Sequence, residues 1–131
     1  MEPEILVVED DPETLDLITI ILERHGYRVV VAHDGRAGLE VVACRNPPLI
    51  ITDVRMPQID GIAMIKQIRA MGVARRFTPI LAVTAYQYEH AADAMEAGAS
   101  RVLGKPFTDD LLLDYVRDLL APGSAAACAR D

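Results

Sequence analysis

Residues 5–12 have the sequence ILVVEDDP, in which a short apolar run gives way to an acidic turn and then to a proline. The run is apolar at every position, which is typical of a strand buried on both faces of a parallel sheet. Asp11 suits a helix N-cap, and Pro12 suits the first helical position. Apolar residues then follow at helical spacing as far as Gly26: Leu15, Ile18, Ile21 and Leu22. The stretch therefore predicts a β-strand joined by an acidic turn to an amphipathic helix.

The same strand-and-helix unit recurs four more times along the chain. Short apolar runs predict further strands at residues 29–32, 49–51, 80–83 and 101–104. The later helices are indicated by Leu39, Val42 and Ala43 after Asp34-Gly35; by Ile62, Ile65 and Ile68; by an alanine-rich stretch from about Tyr88 to Ala97; and by Leu112, Tyr115, Val116 and Leu119 after the capping residue Thr108. Five strands alternating with five helices favour a parallel sheet that is covered by helices on both faces.

Length and charge narrow the class of protein. The 131 residues suffice for one domain with its own core. Acidic residues number 20 against 13 basic ones, and the net charge of -7 argues against a surface that binds nucleic acid phosphates. The two cysteines, Cys44 and Cys128, suit neither a disulfide framework nor a zinc site. No apolar run approaches the roughly 20 residues that span a bilayer, so we expect a cytoplasmic domain without membrane contact.

Polar residues follow four of the five predicted strands. Glu9 and Asp10 follow the first strand, Asp53 the third, Thr84 the fourth and Lys105 the fifth. Taken singly, each has a plain structural explanation, such as a helix cap, a turn or a solvated charge. Ligands of open α/β sheets bind at the carboxyl ends of the strands, and all five residues belong to that edge. Their convergence favours a functional site.

The charges at this edge indicate a cation and a phosphoryl group. Three carboxylates repel one another unless a cation joins them, and Mg²⁺ prefers such hard oxygen ligands. Three carboxylates, one Mg²⁺ and the Lys105 ammonium balance formally, so one carboxylate could accept a phosphoryl group. The eight glycines form no dinucleotide-binding or P-loop motif. A haloacid-dehalogenase-type phosphatase would have a second aspartate two places after Asp53, where this chain has Arg55.

Four segments together resemble the receiver domain of two-component response regulators. They are LVVEDDP at residues 6–12, TDVRMPQIDG at 52–61, VTA at 83–85 and LGKPF at 103–107. The resemblance covers about residues 4–120. It implies a flavodoxin-like (βα)5 fold, with three α/β/α layers and the strand order 2-1-3-4-5. We expect the receiver domain at residues 1–121 and a flexible tail or linker at residues 122–131.

The resemblance also implies roles for the residues at the sheet edge. Asp53 would be the phosphoacceptor that attacks a phosphohistidine of a sensor histidine kinase or phosphotransfer protein. Glu9 and Asp10 would hold Mg²⁺ together with Asp53 and the backbone carbonyl of Arg55. The chain would then be a signalling switch rather than an enzyme that turns over a separate substrate.

Further implications concern the residues after the fourth and fifth strands. Lys105 would pair with the phosphoryl oxygens, and Thr84 would turn to donate a hydrogen bond to them. The resemblance implies a cis peptide bond between Lys105 and Pro106. Many members of the family carry an aromatic residue where this chain has Val102, so this chain has no ring at that position to move together with the threonine. Tyr86 would either overhang the site or be an ordinary surface residue.

The sequence leaves the partners and the setting of the domain open. A downstream protein would bind the face formed by the fourth helix, the fifth strand and the fifth helix, without direct contact to nucleic acid. The alternative function is a receiver-like scaffold that acts by protein contact without phosphotransfer. The chain is either a stand-alone regulator or the receiver of a larger protein, such as a hybrid kinase.

Overall fold

The fold is described from a computed structural model, over residues 4–55, 60–85 and 90–121, with the side chains of residues 73 and 74 left aside. The strands are β1 (Glu4–Val8), β2 (Arg28–Ala32), β3 (Leu49–Asp53), β4 (Ile80–Thr84) and β5 (Arg101–Gly104). The helices are α1 (Pro12–Arg24), α2 (Gly35–Arg45), α3 (Gly61–Arg69), α4 (Val73–Arg76), α5 (Ala91–Ala97) and α6 (Asp109–Leu120). All strand pairs are parallel, and the order is β2-β1-β3-β4-β5. The predicted fold and strand order are confirmed.

The central strands β1, β3 and β4 are buried on both faces, as their continuously apolar residues predict, whereas the edge strand β2 is only partly buried and its Val31 is exposed. Successive side chains of a strand point to opposite faces, so Ile5 and Val7 lie on one side of β1 and Leu6 and Val8 on the other. The first face packs against α1 and α6, and the second against α2, α3 and α5. The three layers are therefore two helical layers with the sheet between them.

The strand register brings the carboxyl ends of the central strands to one edge. Val8 at the end of β1 pairs with Thr52 of β3. Asp53, the last residue of β3, pairs with Val83 of β4, and the next residue of β4 pairs with Gly104 at the end of β5. The turns that leave β1, β3, β4 and β5 consequently lie side by side.

Short polar side chains cap four helices at this same edge. The side chains of Asp11, Asp34, Asp60 and Thr108 each accept a hydrogen bond from the backbone N–H three residues further on. Each of these bonds satisfies an N–H that has no partner within the helix. The caps predicted at Asp11 and Thr108 are confirmed, and they fix where α1 and α6 begin at this edge of the sheet.

The packed face of α2 differs from the prediction. Ala43 is exposed, Leu39 is only partly buried, and the residues that face the sheet are Gly35, Gly38 and Val42. A Cβ at Gly38 would come within 2.9 Å of Val8 Cγ2, so glycine permits α2 to lie close to β1. The glycines shift the buried stripe, and Ala43, the residue after Val42, points away from it.

Two further helices bear on the predictions. The single-turn helix α4 was not predicted from the sequence, and it makes the predicted fourth and fifth helices α5 and α6. The predicted start of the alanine-rich helix near Tyr88 lies outside the described residues, and α5 begins at Ala91.

None of the helices in the described ranges is both long and apolar enough to cross a membrane. Cys44 is exposed and free.

Candidate functional site

Three carboxylates converge at the carboxyl edge of the sheet. Glu9 directly follows β1, Asp10 is next to it, and Asp53 ends β3. One oxygen from each lies within 4.8 Å of the others. The side chain of Glu9 is 2% exposed and that of Asp53 is 12% exposed, whereas Asp10 is an exposed residue. The structure therefore brings together the three acidic residues predicted for the site, with one of them almost fully buried.

Lys105 supplies the positive charge of the cluster. Its Nζ lies 3.0 Å from Glu9 Oε1 and 3.6 Å from Asp53 Oδ2. The backbone N–H of Lys105 donates to the carbonyl oxygen of Thr84 at 2.7 Å, which ties the turn after β5 to the end of β4. The Lys105–Pro106 peptide bond is cis, as the resemblance implied. The lysine thus contacts both deeper carboxylates and leaves Asp10 on the solvent side.

Burial and the neighbouring charges perturb the acid–base behaviour of this pair. Burial, and after it the nearby Asp53 carboxylate, raise the pKa of Glu9 from 4.5 to about 7, against the opposing effect of Lys105. Burial also acts to lower the pKa of the Lys105 ammonium, but the hydrogen bond to Glu9 and the negative charges of Asp53 and Glu9 outweigh it and raise that pKa. Burial disfavours the charged form of a carboxyl group, so a further cation at the cluster would favour the ionised form of Glu9.

Backbone amides orient the carboxylates, a feature that was not predicted from the sequence. The N–H of Asp11 donates to Glu9 Oε2 at 3.3 Å, and the N–H of Arg55 donates to Asp53 Oδ1 at 3.4 Å. The side chain of Asp11 itself accepts from the Thr14 N–H and hydroxyl, and these bonds lower the pKa of Asp11. Asp11 is thus engaged as a helix cap and is not one of the three clustered acids.

Gly61 is the second feature of the site that sequence reasoning missed. Its N–H donates to the Val54 carbonyl oxygen at 2.9 Å, and a Cβ at this position would overlap the backbone of Asp53 and Val54. Glycine therefore lets the start of α3 lie directly against the backbone that carries Asp53. The pair Asp60-Gly61 before a helical apolar period was the available signal, but it indicates a helix start and not this close approach.

The remaining predicted residues lie around the same edge. Thr84 is buried at the end of β4, and its hydroxyl donates to the Ala85 carbonyl oxygen at 3.4 Å. Val102 in β5 is partly buried and packs against the core that faces α2, α3 and α5. Arg55 is exposed, and the ligand role of its carbonyl stays a prediction. Tyr86 lies outside the described residues.

The donor set fits a hard divalent cation. Carboxylate oxygens are the ligands that Mg²⁺ prefers, and Mg²⁺ usually takes only a few of them, with water and phosphate oxygens completing its shell. Glu9, Asp10 and Asp53 offer three such oxygens, and burial, with the neighbouring Asp53 carboxylate after it, raises the pKa of Glu9. The three carboxylates can therefore hold a cation beside Lys105, which is less exposed than Asp10.

Comparison with known proteins agrees with this geometry. The family model described as the response regulator receiver domain matches residues 5–117. The chain belongs to the response regulator receiver family. Receiver domains are signalling domains of two-component systems, and the acidic cluster of this one lies where its fold brings the strand ends together. The family and function predictions are confirmed at this level.

Individual relatives come from several settings. The transcriptional regulatory protein ZraR of Escherichia coli O157:H7 is 40% identical over 119 residues, which are 90% of this chain and 26% of ZraR. The signal receiver domain of a signal transduction histidine kinase from Syntrophus aciditrophicus has a TM-score of 0.83 at 32% identity, covering 90% of this chain and 89% of that one. The chemotaxis response regulator CheY4 of Vibrio cholerae has a TM-score of 0.84 at 30% identity, covering 92% and 100%. The chain spans 26% to 51% of the length of the curated relatives it matches.

Proposed function

We propose that Asp53 accepts a phosphoryl group from the phosphohistidine of a sensor histidine kinase or phosphotransfer protein, and that this receiver is thereby switched. The observation that carries the proposal is the position of Asp53 at the end of β3, 3.6 Å from the Lys105 ammonium and beside two further carboxylates. Glu9 is almost fully buried and is paired with Lys105, whereas Asp10 has no lysine contact among the described residues. Of these three carboxylates, only Asp53 is partly exposed and also lies beside the Lys105 ammonium.

The chemistry is nucleophilic attack by a carboxylate. One Asp53 oxygen forms a bond to phosphorus, the bond from phosphorus to the histidine nitrogen breaks, and the imidazole leaves with the electron pair. Lys105 is close enough to Asp53 to compensate the negative charge of the transferred oxygens. Thr84, buried at the neighbouring strand end, is the hydroxyl that we assign to the same oxygens. No separate substrate is turned over, so the chain acts as a phosphoacceptor rather than a general enzyme.

Glu9, Asp10, Asp53 and the carbonyl of Arg55 are the groups that would hold Mg²⁺. When bound, the ion supplies positive charge opposite the phosphoryl oxygens. Within the protein, Glu9 is held by the Asp11 N–H and Lys105, so its carboxylate is oriented before any cation arrives. Asp53 is held in the same way by the Arg55 N–H.

The receiver's output partner is assigned to the face formed by α5, β5 and α6. On this face Arg101 lies 3.9 Å from the centre of the Tyr115 ring and 3.4 Å from an Asp118 oxygen. Arg101, Tyr115 and Asp118 thus place two opposite charges and an aromatic ring on this face, a combination that a protein partner can bind. We propose that this domain contacts neither nucleic acid nor a membrane directly, and we expect it to act in the cytoplasm.

Addition of Mg²⁺ is expected to stabilise the protein. At a free concentration about tenfold above the dissociation constant, mass action gives about 1.4 kcal/mol of unfolding free energy. Asp10→Ala should lose most of this gain, whereas Asp16→Ala, which removes an exposed carboxylate from α1, should keep it. Thermal melts with and without Mg²⁺ measure the effect. An equal Mg²⁺ response in the Asp10 and Asp16 variants would contradict the metal site.

Mg²⁺ affinity is expected to rise with pH through the pKa of Glu9. With that pKa near 7, a proton competes with the ion below neutrality, and affinity should increase about tenfold between one pH unit below and one above. The stability of the metal-free protein has the opposite pH dependence. Its folded state binds an extra proton between pH 4.5 and 7, so stability falls as the pH rises through that window. Calorimetric titration measures the affinity, and Glu9→Gln should flatten its pH dependence. An unchanged affinity in wild type would contradict this assignment of Glu9.

The proposed function is tested by treatment with acetyl phosphate. Intact-mass measurement should show the gain of one phosphoryl group in the presence of Mg²⁺ and none after chelation. If neither acetyl phosphate nor a competent histidine kinase adds a phosphoryl group, the scaffold function replaces the switch.

A further inference from the structure

Thr52, the residue before Asp53, is a polar residue in the otherwise apolar interior of β3, and it is completely buried. Its register partners are Val8 of β1 and Ala82 of β4, whose side chains belong to the apolar layer that faces α2, α3 and α5. A buried hydroxyl costs free energy unless it is hydrogen-bonded, and valine has nearly the same shape without a polar atom. The hydroxyl at this position is therefore explained by its hydrogen-bond partner.

That partner is the backbone of the neighbouring aspartate. The Thr52 hydroxyl donates to the carbonyl oxygen of Asp53 at 2.9 Å. This oxygen belongs to the planar peptide group between Asp53 and Val54. The N–H of the same group donates to the Val83 carbonyl oxygen of β4 at 3.1 Å. The peptide group is thus hydrogen-bonded at both its oxygen and its N–H, which fixes the orientation of its plane.

The start of α3 restricts the same peptide group further. A Cβ at Gly61 would overlap the Asp53 carbonyl oxygen, so this oxygen lies against α3 as well as against Thr52. The Gly61 N–H donates to the next carbonyl oxygen, that of Val54, at 2.9 Å. The peptide group after Asp53 therefore has little room to turn while these contacts are in place.

The orientation of this peptide group affects where the Asp53 carboxylate points. The side chain leaves the backbone at the carbon atom that adjoins the peptide group, so a turn of the group would redirect the carboxylate. The direct contacts of the carboxylate are long: 3.4 Å from the Arg55 nitrogen to Oδ1 and 3.6 Å from the Lys105 Nζ to Oδ2. Contacts of this length constrain a side chain only weakly. The aim of the carboxylate therefore depends on the backbone that carries it.

We propose that Thr52 is a positioning residue for the reaction at Asp53, because its hydroxyl holds the Asp53–Val54 peptide group in the orientation that directs the carboxylate toward the incoming phosphorus. This role rests on the proposed function, in which Asp53 is the phosphoacceptor. Thr52 has no exposed surface, so it does not contact the phosphodonor and its effect passes through Asp53. Misplacing a reacting group by about 1 Å can cost on the order of 100-fold in rate, so a small turn of the backbone is enough to matter.

Two substitutions of Thr52 separate positioning from packing. Thr52→Val removes the hydroxyl and keeps the shape, whereas Thr52→Ser keeps the hydroxyl and removes the methyl group. With saturating Mg²⁺ and a fixed concentration of acetyl phosphate, the initial rate of phosphorylation should fall about tenfold in Thr52→Val. It should stay within about threefold of wild type in Thr52→Ser. A role in packing alone predicts the opposite order, because serine leaves a cavity that valine fills.

Thr19→Val is the matched control for the loss of a hydroxyl. The Thr19 hydroxyl also donates to a backbone carbonyl oxygen, that of Leu15 within α1, at 2.7 Å. This variant should be phosphorylated at the wild-type rate, and an equal loss of rate in it would overturn the specific role of Thr52. If Thr52→Val does not fold, Thr52→Ala replaces it. The alanine variant should be about tenfold slower than Thr52→Ser, from which it differs only by the hydroxyl.

Amide hydrogen exchange measured by NMR keeps this test separate from the proposed function. In the unphosphorylated protein, the Val54 amide should exchange roughly fivefold faster in Thr52→Val than in wild type, as expected for the loss of one hydrogen bond, and Thr52→Ser should restore the wild-type rate. A wild-type phosphorylation rate in folded Thr52→Val, or a slower rate in the serine variant than in the valine variant, would overturn the positioning role and leave Asp53 as the acceptor. If wild type gains no phosphoryl group, the proposed function fails, while the exchange of the Val54 amide still decides whether Thr52 fixes the peptide group.

Discussion

Asp53→Asn is expected to abolish phosphorylation by acetyl phosphate in the presence of Mg²⁺. The amide lacks the nucleophilic carboxylate oxygen, and neither neighbouring acid can replace it: Glu9 is buried against Lys105, and Asp10 has no lysine beside it in the described part of the chain. Intact-mass measurement reports the loss directly. Asp16→Asn, which makes the same chemical change on the exposed face of α1, should be phosphorylated like wild type.

The fold of the Asp53→Asn variant provides the control for this result. Burial, and after it the hydrogen bond and the charge of Asp53, raise the pKa of Glu9, so removing the Asp53 charge should leave the metal-free protein at least as stable as wild type. Loss of phosphorylation would then not reflect loss of structure. A phosphoryl gain retained in a folded Asp53→Asn protein would place the acceptor on another residue.

Lys105→Met is expected to reduce the rate of phosphorylation on the order of 100-fold, the cost typical of removing one donor that stabilises developing negative charge. The carboxylates remain, so Mg²⁺ should still bind. The variant should also lose stability, and more above neutral pH than below, because Glu9 is then a buried carboxylate without its cation unless it is protonated. Phosphorylation time courses and melts at two pH values measure the two effects.

Lys66→Met is the matched control for Lys105→Met. Lys66 is the only other lysine in the chain and is exposed on α3. Its replacement should leave both the rate and the stability near wild type. A wild-type phosphorylation rate in Lys105→Met would remove Lys105 from the reaction. Equal reductions of the rate in both lysine variants would point to a general effect of charge.

The acidic site could be predicted from the sequence because its geometry follows from the topology. Parallel strands end at one edge, so Glu9, Asp53 and Lys105 meet even though they are far apart along the chain. Local rules also predicted the helix caps at Asp11 and Thr108. The strand order came from the resemblance, since periodicity alone does not distinguish the orders of a five-stranded parallel sheet.

Other features depend on contacts that leave no periodic signal. The helix α4 has one turn and begins after Gly72, which has φ of +123°; such a short helix is not stable by its own propensity. The burial of Gly38 and the exposure of Ala43 follow from how closely α2 approaches β1. The guanidinium of Arg69 donates hydrogen bonds to backbone carbonyl oxygens up to 29 residues away. A side chain bonded to distant backbone requires the folded arrangement to be known.

The most direct test of the account is to locate the phosphoryl group within the chain. Trypsin releases residues 46–55, NPPLIITDVR, in which Asp53 is the only carboxylate side chain, whereas Glu9 and Asp10 belong to the separate peptide of residues 1–24. Hydroxylamine converts an acyl phosphate to a hydroxamate, which survives digestion and is read by mass spectrometry. After treatment with acetyl phosphate and Mg²⁺, we expect the hydroxamate on Asp53 in the peptide of residues 46–55. A hydroxamate on the peptide of residues 1–24, or none on either peptide, would contradict Asp53 as the phosphoacceptor.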